Sequence, residues 1–251
     1  QNNATFVAWF WKANGSGSAN TAGDINSTVS ANVDAGFSIV SYAATGSNAT
    51  VGHGLSKVPE MIIIKNRTIQ TNWPIYHHKN TSAPETDYIK LDTTAATADN
   101  ATFWNDTAPT SSVFTIGTDG DVNQSGSNMI AYCFHSVDGY SKVGSYTGNG
   151  NADGTFVYTG FRPAYVLIKP SSRGGHWMVA NNKSSPSNVV DKVIFANASA
   201  GEYTDPNADC KKDFLSNGFR IRATEDNANE DGSTYIFIAF AETQQKYSNA
   251  R

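Results

Sequence analysis

The side chains able to do chemistry are few and scattered. His77 and His78 are neighbours, and adjacent strand residues point to opposite faces, so one metal ion cannot readily take both. His53 lies in Gly52-His53-Gly54, a setting that suits a turn. His135 and His176 have no serine or cysteine partner in a nucleophile-elbow or papain-like context. Carboxylates gather in two stretches, Asp119 with Asp121, and Glu225-Asp226 with Glu230-Asp231. Loop carboxylates can hold calcium, but this spacing matches neither the EF-hand nor the calcium-binding nonapeptide repeat, so they read as solvated loop tips. Gly148-Asn149-Gly150 lacks the lysine and the helix of a phosphate-binding loop and reads as a turn. The expectation is no catalytic residue, no metal ligand, no cofactor, and a protein that is not an enzyme.

The aromatic residues offer a different chemistry. Trp73, Trp104 and Trp177 could stack on sugar rings, with nearby Asn, Asp and Gly supplying hydrogen bonds. They are the candidate ligand-binding residues. Trp73 and Trp177 occupy equivalent places in a repeat described next, which favours a shared core or strand-end role. Trp104, in Phe103-Trp104-Asn105-Asp106, has no counterpart and is the better candidate for a specific contact.

The elements that must position these residues occur twice. Ser41-Tyr42 recurs as Ser145-Tyr146, Pro59 as Pro163, Lys65 as Lys169 and Trp73 as Trp177, each pair 104 positions apart. Phe114 and Ile116 recur as Phe219 and Ile221, and the block 129–134 as 235–240. By the offset of 106 that relates the block 129–134 to 235–240, His53 falls on Thr159. Phe6 to Trp11 resembles the closing block a third time, with nothing before it, which reads as the end of a longer modular, rod-like protein. The chain opens on Gln1 rather than Met, so a processed chain or a fragment is expected.

Between turn clusters of Gly, Asn, Asp, Ser and Pro, the segments are short and rich in β-branched and aromatic residues, and no long stretch keeps helical periodicity. The predicted fold is all-β: two tandem β-sandwich-like modules related by internal duplication, residues 36–134 and 142–241. Residues 1–35 are predicted to end a preceding module and link onward, and residues 242–251 to form a tail. Thr5 to Trp11 is predicted to be a strand. Phe114 to Gly117 is predicted to form a hairpin with Met129 to Phe134, and Phe219 to Ala223 with Thr234 to Phe240. Asp209 to Asn217 is predicted to form a helical turn closed by Gly218. The block 235–240 is almost wholly apolar, so alternation fails and both its faces should be covered, as in a central strand between another sheet and a neighbouring module.

Composition narrows the partners. Of 251 residues 39% are hydrophobic and 16% charged, with 12% aromatic, too many for a disordered chain. A net charge of −4 without a basic cluster argues against nucleic acid. Apolar runs of about six residues are too short to insert in a membrane. Cys133 and Cys210 read as two free thiols, with a disulfide left open. Asn-x-Ser/Thr triplets are numerous, as chance provides in a chain this rich in Asn, Ser and Thr.

Several stretches resemble a family of uncharacterised domains in marine bacteriophage virion proteins. They include Val7-Ala8-Trp9-Phe10-Trp11-Lys12-Ala13, Thr28-Val29-Ser30-Ala31-Asn32, Phe103-Trp104-Asn105-Asp106-Thr107-Ala108-Pro109-Thr110, Phe156-Val157-Tyr158-Thr159-Gly160-Phe161-Arg162-Pro163 and Lys246-Tyr247-Ser248-Asn249-Ala250-Arg251. The resemblance spans nearly the whole chain and carries no catalytic residue with it. It implies a tail fibre or virion structural protein on the outside of the particle, following a jelly-roll module. The implied partners are other copies of itself, in a homotrimer, other virion proteins, and a host cell-surface glycan or protein. The alternatives are a carbohydrate-binding module of a secreted or surface adhesin, and a capsid decoration or fibre spacer without receptor contact.

Overall fold

The structure, a computed structural model, describes residues 7–204 and 210–243. Strands make up 41% of it and helices 3%, in two sandwich-like halves. The first half contains β1 (Ser18–Asn20), β2 (Ser27–Asn32), β3 (Phe37–Ala43), β4 (Ala49–Gly52), β5 (Met61–Asn66), β6 (Pro74–His77), β7 (Asp87–Lys90), β8 (Ala98–Asp99), β9 (Val113–Ile116) and β10 (Asn128–Phe134), with one-turn helices α1 (Ala101–Trp104) and α2 (Gly120–Asn123). The second contains β11 (Ser141–Thr147), β12 (Phe156–Tyr158), β13 (Pro163–Pro170), β14 (Met178–Asn181), β15 (Lys192–Phe195), β16 (Tyr203–Thr204), β17 (Lys212–Leu215), β18 (Gly218–Ile221) and β19 (Thr234–Ala241).

These strands form four layers. An eight-stranded sheet in the order β1-β2-β3-β10-β5-β6-β7-β8 faces the pair β4-β9, and a six-stranded sheet in the order β11-β19-β13-β14-β15-β16 faces the triplet β12-β18-β17. Alternation along each central strand explains the stack. From β10, Met129, Ala131 and Cys133 enter the first core, while Tyr132 and Phe134 point the other way. From β19, Tyr235, Phe237 and Ala239 enter the second core, while Ile236, Ile238 and Phe240 point the other way. The outward residues of both large sheets meet in a third apolar cluster that joins Phe37, Met61 and Ile75 to Leu167, Trp177 and Val179. Both faces of Tyr235–Phe240 are therefore covered, by its own partner sheet and by the other module. The modules pack broad face to broad face rather than end to end.

The two predicted hairpins do not form. β9 pairs with β4, whereas β10 pairs with β3 and β5; β18 pairs with β12 and β17, whereas β19 pairs with β11 and β13. In each module the chain crosses between opposing sheets at that loop, so strands close in sequence lie across the core from one another. The predicted helical turn is also replaced: Lys212 to Leu215 is a strand whose hairpin with β18 turns before Gly218, and Asp209 lies outside the described residues. Residues 7–11 are not a strand, and residues 1–6 lie outside the described residues. Nor are residues 18–32 only a link from elsewhere. β1 and β2 extend the first module's large sheet, and Ile25 and Val29 belong to its core. Of the predicted tail, residues 244–251 lie outside the described residues, and Glu242 is tied to Arg162 at 3.0 Å. Cys133 and Cys210 are buried in different cores and do not pair with each other.

Candidate functional site

The duplicated sequence signals build one repeated lock. The buried Tyr42 hydroxyl donates to the Val122 carbonyl at 2.7 Å, and the Tyr146 hydroxyl donates to the Ala228 carbonyl at 2.7 Å. Each ring meets its module's crossing strand edge-on, Phe114 and Phe219, with both centroid separations 6.2 Å. Burial pushes both phenols well above their ordinary pKa, so both remain donors. Beside each lock a fully buried asparagine ties the crossing loop. Asn123 donates to the carbonyls of Ser47 (2.7 Å) and Gly117 (2.8 Å) and accepts from Thr45 N–H (2.9 Å). Asn229 donates to the carbonyls of Ala223 and Asn151, both at 2.8 Å, and accepts from Asn149 N–H at 3.1 Å. Gly148 stands at this loop because a Cβ there would lie 2.2 Å from the Glu230 carbonyl oxygen.

His53 and His77 serve the backbone. His53 Nδ1 accepts from Leu55 N–H at 3.1 Å, as Thr159 Oγ1 accepts from Phe161 N–H in the second module. His77 Nδ1 accepts from Lys79 N–H at 3.1 Å, as Asn181 Oδ1 accepts from Lys183 N–H at 3.0 Å. His77 Nε2 then donates to the Phe237 carbonyl at 3.3 Å, linking the modules. Burial keeps both rings neutral, lowering His53 to about 4 and His77 to about 3.

Four of the six carboxylates in the two stretches are engaged within the chain. Asp119 caps α2 by accepting from Asp121 N–H at 2.8 Å, and Asp121 pairs with Lys90 at 3.1 Å. Asp226 and Glu230 hold Arg173 at 2.6 and 3.1 Å. Among the described residues, no group of three or more His, Cys, Asp or Glu is placed to hold a metal ion. No helix among them is long and apolar enough to cross a membrane.

The three tryptophans separate. Trp104, the residue without a repeat counterpart, is 2% exposed; its Nε1 donates to the Asp87 carbonyl at 2.9 Å and its ring packs edge-on to Tyr76. It has no face to offer a ligand, and α1, which carries it, is a core plug of the first module. Trp177 is 1% exposed and lies between the modules, donating to the Lys90 carbonyl at 2.8 Å. Trp73 alone of the three is partly exposed, with Lys65 Nζ 5.3 Å from its ring centroid. The backbone confirms the equivalence of Trp73 and Trp177: Trp73 N–H donates to Asp92 and Trp177 N–H to Asn197. The counterpart of Lys65, Lys169, is fully buried; its ammonium donates to the carbonyls of Pro170 (3.0 Å) and Thr94 (3.4 Å), and burial lowers its pKa to about 8.

Trp73 stands at an apolar groove of about 390 Å³ between the two large sheets, lined also by Ile63, Leu91, Tyr132, Tyr165 and Phe240. The segment before β1 crosses it. Trp9 packs edge-on to Tyr165 at 5.3 Å, and Trp11 edge-on to Phe134, Tyr165 and Phe240 at 6.3, 5.9 and 5.4 Å. Trp11 thereby touches both modules, while Phe10 between them is 91% exposed. The groove can hold an apolar group or the C–H face of a sugar, with Trp73 as its rim. Sequence reasoning passed over this groove because its lining is drawn from strands of both modules.

A family model described as Domain of unknown function (DUF7483) matches residues 1–244, and the chain belongs to that family. No curated protein and no solved structure matches it.

Proposed function

We propose that this DUF7483 chain is a bacteriophage virion structural protein, a segment of a tail fibre or similar appendage that presents a host-recognition surface. The observation that carries this reading is the union of two sandwiches through a broad aromatic interface, with Trp73 left partly open at the rim of an apolar groove. A body welded in this way displays a surface without large internal motion, and His53, His77, Asp119, Asp121, Asp226, Glu230 and Lys169 are engaged in structural bonds. The resemblance of its sequence stretches to marine phage virion proteins supports the same reading. Repeated copies along an appendage, in a trimer, would turn weak single contacts into firm attachment.

Electron microscopy of the intact particle, locating the modules and counting copies, tests the placement. Binding of the chain to host cells, intact or stripped of surface polysaccharide, tests the recognition. Equal binding to both removes the glycan receptor; no binding to either leaves a fibre spacer or capsid decoration. The partly exposed Trp73 ring also suits a carbohydrate-binding module of an adhesin. That reading requires glycan-array signal from the isolated chain, lost in Trp73→Ala, and no location on a virion.

A further inference from the structure

The two modules close one side differently. In the first, the segment before β3 covers the gap between the large sheet and the β4-β9 pair. Ser27 to Asn32 pairs antiparallel with β3, and Ile25 forms a parallel bridge to Val51. Ile25 N–H donates to the Thr50 carbonyl at 3.0 Å, Asp24 accepts from Thr50 N–H at 2.9 Å, and the Ser27 hydroxyl donates to the Gly52 carbonyl at 3.0 Å. Ile25 and Val29 fill the gap, 8% and 6% exposed. Gly52 is required beneath this cover, since a Cβ there would lie 2.0 Å from Asn20 Oδ1.

The second module has the same two rails and, among the described residues, no cover. Residues 135–140 alone join β10 to β11, too few to lay down a strand and return. β11 is therefore an edge of the six-stranded sheet and β12 an edge of the triplet. Val157 opposes Phe219 as Val51 opposes Phe114, so Tyr158 occupies the place of Gly52 and Phe156 that of Thr50. Uncovered, Tyr158 is 64% and Phe156 38% exposed. Between the rails lies a hollow of about 320 Å³ lined by Val143, Gly144, Ser145, Phe156 and Tyr158, with Lys79 and Lys142 also on its wall. The core beneath has adapted: where the first module has Val40 and Ala131, the second has Gly144 and Phe237, and a Cβ on Gly144 would lie 2.9 Å from the Phe237 ring.

We propose that this hollow is a strand-docking site that takes an extended segment of a different polypeptide, seated as residues 24–29 are seated in the first module. The first module shows the chemistry required. The occupant pairs its backbone with β11 opposite Gly144 to Tyr146 and places two apolar side chains, four residues apart, where Ile25 and Val29 would lie. Pairing stops at Val143, whose N–H is already bonded to the Ser136 hydroxyl at 3.0 Å. Lys79 and Lys142 form no ion pair among the described residues, so a carboxylate following the second apolar residue completes the match. The chain's own covering segment is seated on its first module and is not free to fill this hollow.

The test titrates the intact, isotopically labelled chain with a synthetic peptide of residues 22–33, followed by NMR. A second peptide replaces Ala31 and Asn32 with Asp and Glu. The expected result is saturable amide shifts at Ser145 and Phe156, with the acidic peptide binding up to about fivefold tighter and that gain lost in Lys79→Gln/Lys142→Gln. Ser145→Pro, which removes an edge N–H, should abolish the shifts; if it does not fold, Tyr158→Ala, which removes an exposed apolar wall of the hollow, replaces it and should weaken peptide binding several-fold. The proposal is overturned by absence of shifts at millimolar peptide, or by equal shifts from a peptide with Ile25→Asp and Val29→Asp. Equal shifts from neutral oligosaccharides would make the hollow a sugar site instead, and concentration-dependent self-association broadening the same amides would make the occupant a second copy.

Discussion

The first and second modules share the same tyrosine lock, the same buried asparagine and the same crossing turn, yet differ where their sheets meet something else. Tyr42 and Tyr146 both donate to the carbonyl before the buried asparagine, at the same 2.7 Å. Away from that lock, a turn acceptor is His77 in one module and Asn181 in the other, and a lysine is partly exposed at Lys65 and buried at Lys169. Duplication preserved the lock that closes each sandwich, while positions facing the other module or solvent, and the core pair that is Val40 and Ala131 in one module and Gly144 and Phe237 in the other, diverged. Closing a sandwich admits few solutions, because its crossing loop carries backbone polar groups that must be satisfied out of water.

The largest break in the symmetry is the shared interface. Ile236 is fully buried in the cluster between the modules. Ile236→Asp is expected to cost more than about 4 kcal/mol, since an unpaired carboxylate has no partner there. Urea denaturation followed by tryptophan fluorescence should show one transition for the parent chain and a split or early transition for the variant. A parent chain that already unfolds in two steps would show that the interface does not couple the halves.

Next come the asparagines. Asn123→Ala and Asn229→Ala each strand several buried backbone partners, and each is expected to cost roughly 2–4 kcal/mol. Equal losses support one duplicated device; a loss confined to one module would mean that the locks only look alike.

A pH titration sharpens the contrast between His77 and Asn181. The folded protein holds His77 near 3 and His53 near 4, below the ordinary 6.5. The unfolded chain therefore binds more protons across that interval. The histidines' contribution to stability should be level above pH 6.5 and fall with acidification toward these values, by up to about 1.4 kcal/mol per pH unit for each histidine. His77→Asn, which copies the second module, should flatten part of that slope at a cost of about 1 kcal/mol at neutral pH for the lost bond to Phe237. An unchanged slope would remove His77 from the account.

The smallest expected effect is the most symmetric. Tyr42→Phe and Tyr146→Phe keep the ring and delete one hydroxyl, and each should cost about 1 kcal/mol. Thermal unfolding of the two single variants and the double variant measures whether the costs match and add.

Much of this was legible before any coordinates. The repeat offset placed His53 on Thr159, which made it a turn residue, and its imidazole does accept the turn N–H as the threonine hydroxyl does. The unbroken apolar run at 235–240 announced a strand covered on both sides. What misled was proximity in sequence. Phe114 and Met129, flanking a loop with an Asp-Gly step, read as a hairpin, but periodicity reports which face a residue presents and not which strand lies beside it. Trp104 was singled out because nothing repeats it; a lone residue is as readily a core plug as a ligand contact, and only its 2% exposure decides.

By itself, the amino-acid order determined that this chain is all-β, duplicated, and built on central strands buried on both faces, because those properties follow from local alternation and from like residues at like spacing. The tertiary structure decided which strands pair, that residues 18–32 seal the first module while the second is open among the described residues, and that of Trp73, Trp104 and Trp177 only Trp73 lines a groove. Those outcomes depend on contacts between residues far apart in the chain, whose partners no local pattern names.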